Sequence, residues 1–132
     1  MELYEWTKHN ITYKDSMKKQ ILKQTFNENN ILVEEKKGKK HYYINEQLQK
    51  ISKYAKEKET IYLICSNTKE NIEELYKSWE QFIANRKLTI IFANPETNQS
   101  WLIHPRTHEF ISDREKIEEG FQTLHKGIEV LE

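Results

Sequence analysis

Two apolar runs flanking an amphipathic stretch dominate the pattern of this chain. Residues 61–65 (Ile-Tyr-Leu-Ile-Cys) and 88–93 (Leu-Thr-Ile-Ile-Phe-Ala) are almost without polar interruption, as strands covered on both faces are. Between them Ile72, Leu75, Tyr76, Trp79, Phe82 and Ile83 fall on one face at helical spacing. The pattern predicts a βαβ crossover: parallel central strands over 60–65 and 88–94, with a helix over 68–85 packed across them.

The flanking segments extend this unit. Residues 3–7 read as a short edge strand. Asp15 or Ser16 reads as the cap of a helix to about Phe26, with Met17, Ile21, Leu22 and Phe26 inward. Residues 31–37 and 41–45 read as a hairpin turned at Gly38, and Asn45 as the cap of a second helix to about Lys58. Asn67 with Glu70 resembles a capping box for the third helix. Residues 94–98 carry turn chemistry, and 100–104 return as an antiparallel strand stopped by Pro105. Ser112 with Glu115 opens a final helix whose inner face is Ile117, Phe121, Leu124, Ile128 and Leu131. The order β-α-β-β-α-β-α-β-β-α defines a mixed α/β sheet in a single domain over residues 1–132, with no internal repeat.

Composition narrows the class. The chain has 132 residues, enough to bury roughly two-thirds of its unfolded surface. No apolar segment approaches the ~20 residues of a membrane span, and residues 1–4 lack a secretory signal pattern. A single cysteine, Cys65, excludes an internal disulfide and a cysteine-rich zinc site. The expectation is an intracellular, cytoplasmic protein that does not enter a membrane.

Net charge is zero but unevenly placed. Residues 1–59 carry 13 Lys+Arg against 9 Asp+Glu, and residues 60–132 carry 8 against 12. Such a gradient can hold a nucleic acid or an acidic protein against the N-terminal half, through Lys36, Lys37, Lys39 and Lys40 of the hairpin. It can equally draw two copies together. Gly120 and Gly127, one heptad apart on the final helix, suit close approach of another helix and a homo-oligomer formed through that helix.

Three constellations are candidates for chemistry. The turn Ser66-Asn67 runs from a central strand into a helix N-terminus, where backbone N–H groups favour an anion. Asn94 should end beside it, at the carboxyl edge of parallel strands where ligands bind in open α/β sheets. The turn lacks the glycines of a nucleotide fingerprint. His104, Arg106 and His108 stand within five residues, but zinc requires three or four ligands, and Pro105 predicts a loop. No metal or cofactor is expected.

The third constellation is Val33-Glu34-Glu35-Lys36, where Glu34 and Lys36 form a Glu-x-Lys on a strand, with Gln47, Gln49 and Tyr54 on the helix that follows. Over about residues 30–65 this is similar to the PD-(D/E)XK nuclease fold, including its RecB-like members. The resemblance implies a carboxylate and a lysine on one strand face that help bind a divalent metal and position water. The chain departs from that pattern: the preceding strand brings no Asp, and residues 41–45 insert a strand before the helix. Two functions follow as expectations. One is a non-catalytic binding or assembly module with a basic N-terminal half; the other is a hydrolase or nuclease acting at Glu34 and Lys36 or at His104 and His108.

Overall fold

Asn30 to Ile44 alternates side chains between two faces, with a sharp reversal between. In the computed structural model, which describes residues 2–48, 59–111 and 116–129, this segment forms β2 (Asn30–Glu35) and β3 (Gly38–Ile44), paired antiparallel. Gly38 takes a φ of 147° just after the turn, a conformation that strains any residue with a Cβ. β1 (Ile21–Phe26) pairs antiparallel with β2 on the outside.

The two apolar runs form β4 (Thr60–Ser66) and β5 (Leu88–Asn94), and they are parallel, with Ile64 beside Ile91. All seven residues of β5 are buried, which explains its unbroken apolar pattern. β3 joins β4 in parallel, and β6 (Gln99–Ile103) pairs antiparallel with β5. Among the described residues one six-stranded mixed sheet results, its spatial order identical to its chain order.

Helices cover both faces. α2 (Lys69–Lys77), α3 (Trp79–Ile83), α4 (Pro105–Ile111) and α5 (Ile117–Lys126) contribute to one side, where Ile72, Leu75, Trp79, Phe82, Ile117 and Phe121 pack on Ile61, Leu63, Leu88, Ile90 and Phe92. Trp101 stacks on Phe92 at 4.2 Å. On the other side α1 (Leu3–Lys18) sets Leu3, Trp6 and Ile11 against Ile31, Val33, Ile44, Ile64 and Ile91. Trp6 also donates its indole N–H to Asn98 in the β5–β6 turn, 3.0 Å.

The predicted crossover, its parallel strands and the burial of Trp79 and Phe82 are present. Its helix is divided: Ser78 donates its hydroxyl to Glu74 and stands between α2 and α3, and Tyr76 is exposed.

The N-terminal prediction fails. Residues 3–7 belong to a helix, because Leu3, Thr7 and Ile11 recur at four-residue spacing and Trp6 completes the stripe. That helix ends at Lys19, in the left-handed conformation. Asp15 closes its end rather than opening another, accepting the backbone N–H of Gln20 at 2.7 Å and of Ile21 at 3.3 Å. Ile21–Phe26 is therefore a strand, and Met17, Leu22 and Phe26 are exposed.

Pro105 also starts a helix instead of preventing one, since at the first helical position its missing N–H costs nothing. In α5, His125 takes the inward place expected of Leu124, which is exposed. Nothing within 4 Å would meet a Cβ at Gly120, so among the described residues no close helix approach explains it. Gly127 caps α5 with an ordinary φ. Most of the predicted helix from Asn45 to Lys58, the Ser112–Glu115 capping pair and Leu131 lie outside the described residues. Among the described residues no helix is long and apolar enough to cross a membrane.

Candidate functional site

The inner stripe of α1 changes character along its length. Leu3, Trp6, Thr7 and Ile11 are buried, but the same face continues as Lys14, Asp15 and Lys18. The strands beneath change in step: Val33 is buried, and the next residue of β2 on that face is Glu35. Packing cannot close where both surfaces turn polar. A cavity of about 570 Å3 opens there. Its floor is Ile11, Ile21, Val33 and Ile91 with Tyr42 and Tyr62, and its rim is Lys14, Lys18, Lys37 and Lys40. Asn10, Asp15, Gln20 and Glu35 complete the wall.

The electrostatics are cationic. Lys40 meets Glu35 at 3.1 Å across the β2–β3 pair and lies 5.9 Å from the Tyr62 ring centroid. The carboxylate of Asp15 is engaged by the backbone of residues 20 and 21. Among the described residues Lys14, Lys18 and Lys37 form no ion pair. Partial desolvation and the neighbouring ammonium groups of Lys40 and Lys18 push the Lys14 pKa down; both effects disfavour its charge.

Tyr42 and Tyr62 stack with centroids 4.6 Å apart. Burial, then Tyr62 and Glu35, raise the Tyr42 pKa far above its ordinary value, so its phenol stays a neutral hydrogen-bond donor and acceptor.

The hairpin lysines divide around this cavity. Lys37 and Lys40 line it, whereas Lys39 pairs in register with Glu34 on the opposite face. Lys36 sits in the turn, its backbone N–H bonded to Gln20. Glu34 therefore remains on a strand while Lys36 has left it. The Glu-x-Lys pair does not share a strand face; the carboxylate that faces the cavity is Glu35.

The Ser66–Asn67 turn is used by the fold. The backbone N–H groups of Ser66, Asn67 and Thr68 go to Glu46, Ala93 and Ser66 carbonyls. Thr68, not Asn67, is the cap of α2, accepting from the Asn71 N–H. The side chain of Asn67 is fully buried. Its Oδ1 accepts from Trp101 Nε1 at 2.9 Å and from His125 Nδ1 at 2.8 Å, and its Nδ2 donates to the His125 carbonyl at 3.1 Å. Since Oδ1 only accepts, His125 must carry its proton on Nδ1. Asn94 donates to the Glu129 carbonyl. Asn67 and Asn94 thus join the carboxyl end of the sheet to the end of α5, while the Ser66 carbonyl accepts from Thr68 N–H and Asn71 Nδ2. Burial, with Lys126 adding to it, lowers the His125 pKa.

The residues around Pro105 diverge. His104 Nδ1 is 2.7 Å from Thr89 Oγ1, Arg106 donates to the Ile83 carbonyl at 3.2 Å, and His108 packs beside Trp79 and Phe121. Burial lowers the His108 pKa despite the opposing pull of Glu109. Among the described residues no three His, Cys, Asp or Glu side chains are placed to hold a metal ion. Cys65 is wholly buried, and desolvation raises its thiol pKa well above normal, against nucleophilic use.

Lys14, Lys18, Glu35, Tyr42 and Tyr62 escape the sequence reading of the site. The signal present was Asn10, Lys14 and Lys18 at successive four-residue steps, readable only once residues 3–18 are one helix. Comparison with known protein families, curated proteins and solved structures finds no match, so the cavity's own chemistry is what carries a functional reading.

Proposed function

We propose that the protein is a non-catalytic binding module whose basic N-terminal half receives a nucleic acid. The observation that carries this reading is the convergence of Lys14, Lys18, Lys37 and Lys40 on one cavity, with Lys36 exposed in the turn and Lys39 exposed on the other face of the hairpin. Folding brings like charges from a helix and a hairpin together, and Lys14 is disfavoured as a cation first by partial desolvation and then by Lys40 and Lys18. A phosphate placed among them removes that repulsion and gains charge-assisted hydrogen bonds.

Lysines supply charge without reading base edges, so contact is to the backbone and affinity falls steeply with salt while varying little with sequence. The test is titration of labelled single- and double-stranded DNA and RNA over a range of salt, with solution mass measured in parallel. Binding that weakens with salt, and weakens for every sequence when Lys39 and Lys40 are changed to Glu, supports the reading. A protein that binds none of these probes refutes it; salt-dependent self-association in the same samples assigns the basic surface to a second copy.

The nuclease reading expects its chemistry at Glu34 and Lys36, which do not share a strand face; the carboxylate and lysine that do face the cavity are Glu35 and Lys40, paired at 3.1 Å. The donor set does not fit a divalent metal: Glu35 is held by Lys40, and Asp15 is committed to the backbone of residues 20 and 21. Hard cations of this kind need several oxygen ligands. Incubating the protein with DNA and manganese gives the direct check, with intact DNA as the expected result.

A further inference from the structure

The cavity carries more information than the sign of its charge. Four ammonium groups and two carboxylates line it, an excess of two positive charges in one concave space. An internal phosphodiester brings one negative charge; a phosphomonoester brings about −1.5 to −2 at neutral pH. The floor is apolar and aromatic, which suits an organic body behind the anion rather than a bare inorganic ion. The volume, about 570 Å3, lies within the ~300–1,000 Å3 range of sites that enclose a small organic ligand, and is far too small for a duplex.

We infer that this cavity is a phosphomonoester site, taking the terminal phosphate and adjoining residue of a nucleic-acid strand, or the same group on a small organic phosphate. Lys14 and Lys18 from α1 and Lys37 from the hairpin close on the phosphate from two sides. Lys40 is positioned by Glu35, which holds its ammonium over the floor and balances it when no ligand is bound. Tyr42 presents a phenol that stays protonated. The inference rests on the proposed function for the strand-end source and stands without it for the small-molecule source.

The experiment compares one oligonucleotide bearing a 5′-phosphate, a 3′-phosphate or no terminal phosphate, together with phenyl phosphate as the small probe. Binding is read at fixed ionic strength for the unaltered protein and the Lys14→Gln/Lys18→Gln variant. These lysines are exposed, and circular dichroism verifies that the variant is folded. The expected result is about tenfold tighter binding of a terminally phosphorylated strand, as one added charge-assisted contact gives, with the preference abolished in the variant.

Binding of phenyl phosphate without binding of any oligonucleotide also supports the site, assigns it to a small organic phosphate, and refutes the nucleic-acid reading. Equal binding of all three oligonucleotides overturns the phosphomonoester site and leaves the proposed function standing. A preference that survives in the variant overturns the assignment to this cavity. No binding of any probe overturns both.

Discussion

The two faces of the sheet treat polar residues in opposite ways. Beneath α2–α5, buried polar groups are tied off: Asn67 joins Trp101 and His125, while Asn71 donates to Glu46 and Ser66 carbonyls and accepts from Leu48 N–H. Beneath α1 the interface begins apolar and ends in a cavity where three lysines have no ion-pair partner among the described residues. Residues that look functional in the sequence, Asn67 and Asn94 among them, serve packing on the first face. Residues that look like solvated charge, Lys14 and Lys18, assemble the candidate site on the second. A buried polar group must be satisfied to be tolerated, so the tied-off polarity of the first face marks structure, whereas the exposed lysines of the second converge around a concave space that an anion can enter.

Breaking the first face should have the largest effect. Phe82 has no exposed surface, and Phe82→Ala should cost about 3–5 kcal/mol, measured by urea unfolding. Asn67→Ala comes next, because it strands the Trp101 and His125 donors in a dry interior; on the order of 2–3 kcal/mol is expected. An Asn67→Ala protein as stable as the original would show that this hub does not hold α5 to the sheet.

Acid should weaken the same face. His108 and His125 both have folded-state pKa values below the ordinary imidazole value, so the unfolded chain binds their protons first as pH falls. Their contribution is fully present above about pH 6.5 and declines as pH drops through that value. Urea midpoints should therefore be lower at pH 5.5 than at pH 7.5, and His125→Gln should shrink the difference.

The smallest stability effect belongs to the second face. Lys14→Gln should change stability by about 0.5 kcal/mol or less, and upward, because it removes a partly desolvated cation and its repulsion from Lys40 and Lys18. The same change should visibly weaken anion binding. Such a split between stability and affinity would sharpen the contrast; a large loss of stability would erase it.

How much of this was readable from the chain depended on whether the signal was local. The paired runs at 61–65 and 88–93, with the helical stripe from Ile72 to Phe82, specify the parallel core because continuous burial on both faces leaves its mark on every residue. The first helix is masked in the sequence because Tyr4 and Trp6 favour strands locally, while the stripe through Leu3, Thr7 and Ile11 is thin and ends in lysines. Asp15 reads as a start because a carboxylate that captures backbone N–H groups looks the same in sequence whether it opens a helix or closes one. The cavity was hidden for a third reason: it needs Glu35 and Lys40 from one hairpin to face Lys14 and Lys18 from a helix, a juxtaposition that no local pattern encodes.

The identity of spatial and chain order in the sheet has a consequence for how the molecule is made. Each strand finds its partner immediately behind it in the chain, so the sheet can grow by addition from β1 to β6 as the polypeptide emerges from the ribosome. Among the described residues no strand has to wait for a distant one or be inserted between two already paired. The closures required are short, which favours rapid folding for a sheet of this size. The slow additions are the two parallel joins, β3 to β4 and β4 to β5, because parallel strands cannot be linked by a tight turn.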